Sequence, residues 1–290
     1  MRISLVEVPY MLGDDRHGAA AGPERLVEAG GRRVLEAAGH DVVTERVVRR
    51  GGTRGERGPA ASEAVNVALA SSVRAATAAG RLPLVLAGSC DAALGIVGGL
   101  EHARCGIVWI DAHADFNTPE SSLSGLFPGM TLAVLLGHCH RELWARVGDS
   151  TPVDEAATVL VGVRELSPAA ERERLERSAV RAVPWRDGEP QGDVRAALAA
   201  LAGEVEEVYL HVDLDGLDPQ TAPGIVDEPV AGGLSLDQLE DVVRGVTARF
   251  GVKAAAVTTY TPERDEDERT LRAALRVVEL VSGRPSAESS

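Results

Sequence analysis

Aromatic side chains are scarce in this chain of 290 residues, which has only three residues each of Trp, Tyr and Phe. Hydrophobic residues nevertheless make up 44% of the sequence, so Ala, Val and Leu must fill most of the core. The length is in the range of one α/β domain. No apolar run is long enough to cross a bilayer, which argues against a membrane-spanning protein.

Cysteine and basic residues are also few. The three cysteines, Cys90, Cys105 and Cys139, do not form a disulfide framework, so the sequence predicts a reducing, cytoplasmic environment. The N-terminal segment lacks the apolar stretch and cleavage site of a signal peptide. With 30 Lys and Arg against 44 Asp and Glu, the net charge is −14. This acidic balance argues against nucleic acid and anionic membranes as partners.

Short apolar runs alternate with longer stretches rich in Ala, Leu, Glu and Arg. Most runs are continuous in Val, Ile and Leu, which is typical of parallel strands covered on both faces. The alternation predicts a single three-layer α/β/α domain over residues 1–283, with a central parallel sheet of about eight strands. Residues 284–290 are predicted to be a disordered tail. The predicted strands are Ile3–Val8, Asp41–Val48, Leu82–Ala87, Gly106–Asp111, Thr158–Val163, Val180–Pro184, Glu207–Asp213 and Lys253–Thr259.

Helical stretches lie between these strands. Pro23 and Pro168 each stand where the first turn of a helix is expected, which is a favoured position for proline. The predicted helices are Gly22–Ala38, Ala60–Ala79, Ala92–His102, Met130–Leu136, Ala169–Ser178, Asp193–Val205, Ser235–Phe250 and Asp265–Ser282.

Carboxylates cluster at the ends of two predicted strands. One strand leads into Asp111, His113 and Asp115, and another leads into Asp213 and Asp215. Residues two apart share a face of an extended segment, so each set can converge at a strand end, where sheet enzymes carry their chemistry. Unpaired carboxylates would raise each other's pKa, and a divalent metal relieves that repulsion. Oxygen-rich ligation with one nitrogen favours Mn²⁺. Taken alone, the first motif is equally compatible with a solvated turn, and its pairing with the second favours a metal site.

The two motifs resemble those of the arginase/ureohydrolase family. The specific segments are Asp111–Pro119 and Asp213–Pro219, and support comes from Gly22–Leu26, Gly232–Ser235 and Tyr260–Asp265. The resemblance spans most of the chain, in order. It implies a hydrolase of guanidino or related C–N bonds with two Mn²⁺ ions and a small guanidino amino-acid substrate. It also implies an assembly of identical chains.

The resemblance further implies roles by position. Asp111 and Asp213 match the carboxylates that bridge the two ions. His113 and Asp215 complete one metal site, and Asp115 with a residue near Gly88 completes the other. Two ions lower the pKa of a shared water, which then attacks the guanidino carbon. Asp115 is also implied as the group that carries a proton to the departing nitrogen.

Three departures from the family pattern are visible. Cys90 stands where the family has its first histidine ligand. A thiolate can bind Mn²⁺, and a helix N-terminus that lowers the thiol pKa favours this role over that of a small buried cysteine. No histidine follows Ser124-Gly125, where arginases have one that assists the leaving group. Thr259 occupies the place of a glutamate that pairs with the guanidinium, so a hydroxyl lines the substrate site instead.

These departures favour a guanidine that is less basic than arginine. Nω-hydroxy-L-arginine is such a substrate, and the chain is similar to the branch of the family that converts it to hydroxyurea and L-ornithine in D-cycloserine biosynthesis. Another guanidine, such as arginine, agmatine or guanidinobutyrate, is the enzymatic alternative. A metal-binding partner protein without turnover is the non-enzymatic one.

Further residues are candidates for substrate contacts. Asn117 and Ser124 match positions that bind the substrate's α-carboxylate, although short polar side chains in a loop are also common turn formers. Asp227 and Glu228 are placed to meet a substrate ammonium or to be solvated. His211 lies on the same strand face as Asp213, and is predicted either to hydrogen-bond a ligand carboxylate from behind or to be a satisfied core histidine.

Overall fold

A computed structural model of the chain describes residues 1–48, 58–100, 105–148, 151–226 and 229–283. Its strands are β1 (Arg2–Val8), β2 (Asp41–Arg46), β3 (Leu82–Ala87), β4 (Cys105–Ile110), β5 (Thr158–Val161), β6 (Arg181–Val183), β7 (Trp185–Arg186), β8 (Glu189–Pro190), β9 (Glu207–Asp213) and β10 (Gly251–Thr258). Its α-helices are α1 (Gly22–Glu28), α2 (Gly31–Ala37), α3 (Pro59–Ala78), α4 (Ala92–Gly99), α5 (Thr131–Leu135), α6 (Arg141–Val147), α7 (Ala169–Arg177), α8 (Val194–Leu201), α9 (Leu236–Thr247) and α10 (Arg269–Val281).

Within the described residues, eight strands form one sheet in the order β2-β1-β3-β10-β9-β4-β5-β6, and β7 and β8 form a separate hairpin. The pairings of the large sheet are all parallel. The predicted three-layer α/β class with a parallel eight-stranded sheet is therefore confirmed. Strand β9 lies between β4 and β10, so the two carboxylate motifs follow neighbouring strands.

The core consists of one hydrophobic cluster on each face of the sheet. Alternate residues of β4 point to opposite faces, so Ile107 and Trp109 pack in one cluster while Val108 and Ile110 pack in the other. Both clusters are rich in Ala, Val and Leu, as the scarcity of aromatics requires. None of the helices in the described segments has the length and apolar character needed to span a membrane.

Local differences from the predicted elements have identifiable causes. The predicted helix Gly22–Ala38 is two helices, because Gly30 takes a left-handed φ of 114° between α1 and α2. Helix α10 begins later than predicted, because the Asp265 carboxylate accepts hydrogen bonds from the backbone of Thr270 and Leu271 and caps the helix there. Helix α6 and the β7–β8 hairpin were not predicted. The predicted tail, residues 284–290, lies outside the described residues.

Candidate metal centre

The two carboxylate motifs meet because their strands are adjacent and in register. Ile110 of β4 pairs with Val212 of β9, so the chain passes directly into Asp111 on one strand and reaches Asp213 on the other at the same sheet edge. Both aspartates are almost completely buried. Two carboxylates buried side by side form an unfavourable arrangement unless cations or hydrogen-bond donors compensate them.

Two groups of potential metal ligands share the Asp111 carboxylate. The first group places one ligand atom from each of four residues within 4.8 Å of the others: Cys90, Asp111, His211 and Asp213. The second group does the same with three residues: Asp111, His113 and Asp215. A carboxylate common to both groups has the position needed to bridge two ions.

Cys90 follows β3 and faces β9 across the site. Its Sγ donates to Asp213 Oδ2 at 2.8 Å and lies 4.0 Å from Thr258 Oγ1. Burial, followed by the charges of Asp213, Asp115 and Asp111, raises the pKa of the Cys90 thiol well above its ordinary value. The expectation that the helix N-terminus lowers this pKa is therefore wrong, because burial and the neighbouring carboxylates raise it. Metal binding at Cys90 would displace the thiol proton.

His113 is surrounded by acidic groups. Its Nδ1 lies 3.1 Å from Asp215 Oδ2 and 3.3 Å from Asp111 Oδ1, and its Nε2 lies 3.8 Å from Glu165 Oε2. Although burial opposes the shift, Asp215 and then Asp111 raise the pKa of His113 well above its ordinary value. The imidazolium thus compensates the carboxylates in the metal-free site. The His113 side chain is 34% exposed and marks an opening of the site to solvent.

The second motif is ordered by backbone donors. Asp213 Oδ1 accepts from the Asp215 backbone N–H at 2.8 Å, and Asp215 Oδ1 accepts from the Ala112 backbone N–H at 3.1 Å. Burial and the charge of Asp215 raise the pKa of Asp213 to about 7. Although burial opposes it, His113 lowers the pKa of Asp215. The two aspartates of this motif therefore differ in protonation near neutral pH.

Asp115 provides a test of whether a cation fits this site. Its Oδ2 is buried and has no hydrogen-bond partner among the described residues. Burial and the charge of Asp111 raise the pKa of Asp115 well above its ordinary value. Its charge also contributes to the raised pKa of Cys90, although Asp115 itself belongs to neither ligand group. An unpaired buried carboxylate oxygen is costly, and a cation beside Cys90 would satisfy it.

Trp109, which the sequence analysis did not consider as a site residue, supports the centre from within β4. Its indole Nε1 donates to Asp111 Oδ2 at 2.9 Å, and its ring stacks on the His211 imidazole with centroids 3.6 Å apart. The two-residue periodicity of a strand could have indicated this role, because Trp109 lies two residues before Asp111 and on the same face.

Arg164 was also missed, and it holds the second motif in place. Its guanidinium donates to the backbone oxygens of Asp215, Gly216 and Leu217 at 2.7, 3.1 and 3.1 Å. It therefore ties the segment after β5 to the turn after β9. The residue type alone gave no signal, because these contacts are to backbone oxygens 51 to 53 positions away.

Two of the predicted site residues have side-chain contacts that the sequence did not reveal. His211 does not hydrogen-bond a carboxylate directly among the described residues: its Nδ1 lies 2.8 Å from the Tyr209 hydroxyl and its Nε2 lies 3.5 Å from Thr258 Oγ1. Burial lowers the pKa of His211 to about 3, so the ring is neutral. The Thr259 hydroxyl donates to Asp213 Oδ1, and its predicted place in the substrate site stays a prediction. The Thr259 hydroxyl can donate one hydrogen bond, and it donates this bond to the buried carboxylate of Asp213.

The predicted substrate contacts lie mainly in the loop after β4. Asn117 is half-buried, and its side chain donates to Ser167 O at 3.1 Å and accepts from Ser121 Oγ at 2.9 Å. Ser124 is exposed, and its hydroxyl accepts from the Leu126 backbone N–H at 3.2 Å. Both side chains therefore shape the loop in this structure, and their role in substrate binding stays a prediction. Asp227 and Glu228 lie outside the described residues.

Comparisons of the sequence and of the structure lead to the same set of proteins. A model described as the arginase family matches residues 1–282. The arginase of Brevibacillus brevis is 33% identical over 97% of this chain and 97% of its own length. The structure of the arginase from Bacillus caldovelox has a TM-score of 0.89 at 30% identity, with 98% of this chain and 99% of that chain covered. The arginase of Entamoeba histolytica in complex with L-ornithine has a TM-score of 0.85 at 25% identity, with the same coverage.

Proposed function

Because this chain belongs to the arginase family, we propose that it is a binuclear manganese hydrolase that cleaves Nω-hydroxy-L-arginine into hydroxyurea and L-ornithine. The family consists of metal-dependent hydrolases that act on guanidino C–N bonds, which makes the chain a hydrolase of this type. We propose in addition that the metal is manganese and that the substrate is Nω-hydroxy-L-arginine.

The proposed cofactors are two Mn²⁺ ions. When bound, two such ions supply a water molecule of lowered pKa, which can attack a trigonal carbon at neutral pH. Asp111, which belongs to both ligand groups, and Asp213 are the proposed bridging ligands. His113 and Asp215 are proposed for one ion, and Cys90 and Asp115 for the other. Mostly oxygen ligands suit a hard to borderline ion such as Mn²⁺.

Asp115 is the proposed proton carrier. Its buried Oδ2 is unpaired among the described residues, so this oxygen is available to take up a proton. In the proposed reaction it accepts one proton of the attacking water and delivers it to the nitrogen that becomes the side-chain amine of ornithine. The hydroxyl remains on the guanidino carbon while the C–N bond breaks, so atoms and charge balance.

The substrate assignment depends mainly on the presence of Thr259 in place of a carboxylate residue. A guanidinium of ordinary basicity is cationic and gains from a carboxylate partner in a buried site. Thr259 supplies no charge, and its hydroxyl already donates to Asp213. The electron-withdrawing hydroxyl of an N-hydroxyguanidine makes that group less basic, so it depends less on a carboxylate partner. The site thus suits Nω-hydroxy-L-arginine better than arginine.

The remaining predicted site residues are proposed to contact the substrate. Asn117 and Ser124 are proposed to bind the α-carboxylate, and Asp227 and Glu228 the α-ammonium, of an amino-acid substrate. The relative crystallised with L-ornithine supports an amino-acid ligand of this shape.

The three cysteines are free and buried, which supports a reducing compartment such as the cytoplasm. Assembly of identical chains stays a prediction.

The assignment is tested by assaying the Mn²⁺-loaded protein with Nω-hydroxy-L-arginine and L-arginine side by side, with hydroxyurea, urea and ornithine quantified. We expect kcat/KM to be at least roughly tenfold higher for the N-hydroxy compound. Asp213→Asn is the inactive control. Equal turnover of arginine would contradict the substrate assignment. Agmatine and guanidinobutyrate are assayed in the same way, and turnover of one of them alone would support the alternative hypothesis of a ureohydrolase that acts on another guanidine.

A further inference from the structure

His211 is the one member of the first ligand group that the family resemblance does not account for. Its ring is fully buried. One of its nitrogens is within 4.8 Å of ligand atoms of Cys90, Asp111 and Asp213. Two donors about 2.2 Å from one ion lie at most roughly 4.4 Å apart, so a shift of a few tenths of an ångström brings the four atoms onto one ion.

The ring of His211 is fixed in an orientation that suits a ligand. Trp109 stacks on one face at 3.6 Å, with an angle of 10° between the ring planes. The Tyr209 hydroxyl lies 2.8 Å from Nδ1. When Nδ1–H donates to that hydroxyl, the lone pair on Nε2 is free to bind a cation. Metal-bound histidines usually have such a partner on their second nitrogen, because it fixes the tautomer and the ring orientation.

The contact on the other nitrogen is weak. Nε2 lies 3.5 Å from Thr258 Oγ1, and the Thr258 hydroxyl is itself 3.1 Å from Asp213 Oδ2, to which it donates. A hydrogen bond of 3.5 Å contributes little, so a core histidine would be poorly satisfied at this atom. Nε2 is therefore the end of the ring that a cation beside Cys90 would complete.

We infer that His211 Nε2 is a direct ligand of the ion on the Cys90 side, so that this half of the centre combines a thiolate, an imidazole and carboxylates. The inference rests on the proposed metal centre and extends it by one residue. It makes the two halves unequal. Sulfur and nitrogen donors shift the preference of the Cys90 half toward softer ions such as Co²⁺ and Zn²⁺, whereas the His113 half retains mainly oxygen donors.

Co²⁺ is the probe, because a thiolate bound to Co²⁺ gives a near-ultraviolet charge-transfer band that reports the Cys90 half alone. The metal-free protein is titrated with Co²⁺, and the number of bound ions is counted by elemental analysis. We expect two ions per chain and a strong band for the wild type. In His211→Ala we expect one ion to bind as before, and the ion that produces the band to bind at least roughly tenfold more weakly.

Three further variants separate ligation from packing. His211→Phe keeps a ring against Trp109 but has no nitrogen, so it should show the same loss as His211→Ala. His138→Ala removes a histidine that belongs to neither ligand group, and should bind as the wild type does. Adding Cys90→His to His211→Ala exchanges the thiolate for an imidazole, so this side still lacks one donor. We expect this double variant to lack the sulfur band and to bind the second ion more weakly than the wild type does.

If folded His211→Ala and His211→Phe both bind two Co²⁺ ions with wild-type affinity and an unchanged band, the inference is overturned. Should neither variant fold, pulsed electron paramagnetic resonance on the wild-type Mn²⁺ protein with ¹⁵N-labelled histidine decides. Two distinct ligating imidazoles are expected, and one alone would overturn the inference. These readouts do not involve turnover, so they stand apart from the test of the substrate.

Discussion

At the scale of single residues, the carboxylates of the centre are oriented by neighbouring donors before any ion binds. Asp111 accepts from the Trp109 indole at 2.9 Å and from the His113 backbone N–H at 2.7 Å. Asp213 accepts from the Thr258 hydroxyl at 3.1 Å and from the Thr259 hydroxyl. Such contacts restrict the rotation of a ligand and commonly change metal affinity 10- to 100-fold, as a rough range.

Trp109→Phe tests one of these contacts. The variant keeps an aromatic ring against His211 but removes the donor to Asp111. We expect metal affinity to fall roughly tenfold and the free energy of unfolding to fall by about 1–2 kcal/mol. Calorimetric titration with Mn²⁺ and urea unfolding measure the two effects.

Trp144→Phe is the matched control. The Trp144 indole donates to the backbone oxygen of Thr151 at 3.0 Å, and Trp144 belongs to neither ligand group. It should lose stability without losing metal affinity. Equal metal affinity in both variants would show that the Trp109 indole has no part in orienting Asp111.

Thr259 allows a second test, because Val has nearly the same shape but no hydroxyl. Thr259→Val should weaken Mn²⁺ binding roughly tenfold, since Asp213 Oδ1 loses a donor, and Thr259→Ser should restore it. Both Thr and Val are β-branched and share the strain of the positive φ of 63° at this position. Unchanged metal binding in Thr259→Val would show that the Thr259 hydroxyl has no part in orienting Asp213.

At the scale of elements, the turn between β3 and α4 sets the position of Cys90. Gly88 begins this turn and lies against the backbone of another segment: a Cβ there would be 2.6 Å from Tyr10 O and 2.8 Å from Ala19 O. Backbone atoms cannot move aside as the end of a side chain can. The glycine is therefore required for β3 to reach the centre at its observed depth.

Gly88→Ala should destabilise the protein by about 3 kcal/mol and displace Cys90 from the centre. The expected results are a lower urea midpoint and a weaker Co²⁺–thiolate band. Gly129→Ala is the control, because nothing lies within 4 Å of a Cβ added at Gly129. A Gly88→Ala variant as stable as Gly129→Ala would show that this turn adapts to the added methyl group.

The strands and the meeting of the two carboxylate motifs could be predicted from the sequence, whereas several other features could not. The strands were predicted to within a few residues, because buried parallel strands appear as continuous Val/Ile/Leu runs. The meeting of Asp111 and Asp213 followed from two strand ends at one sheet edge. The break at Gly30 and the short helix α6 were missed, because a left-handed glycine and a helix of seven residues leave little periodic signal. The stacking of Trp109 on His211 and the contacts of Arg164 join residues distant in sequence, which no local pattern contains.

At the scale of the whole molecule, buried acidity links stability, pH and metal. Burial and then Asp215 raise the pKa of Asp213 to about 7 from an ordinary value of 3.8, and burial also raises the pKa of Asp111 and Asp115. Between the ordinary and raised pKa values the folded chain binds more protons than the unfolded chain. With respect to these groups, the free energy of unfolding of the metal-free protein therefore falls as pH rises from about 4 to 7.

Metal binding should reverse this trend, because bound ions require ionised carboxylates and a neutral His113. We expect the rise in Tm on adding Mn²⁺ to be small at about pH 5 and to increase up to about pH 8. Asp213→Asn should flatten the dependence, since it removes the carboxyl group that titrates at about 7. A rise in Tm that is the same at both pH values in the wild type would contradict the linkage.

We propose that two ions share the Asp111 carboxylate at the ends of β4 and β9. The most direct measurement is elemental analysis of the Mn²⁺-loaded wild type and Asp111→Asn, after free metal has been removed and folding verified by circular dichroism. We expect two ions per chain for the wild type and at most one for the variant, because Asp111 belongs to both ligand groups. A folded wild type without bound manganese, or an Asp111→Asn variant that retains two ions, would contradict it.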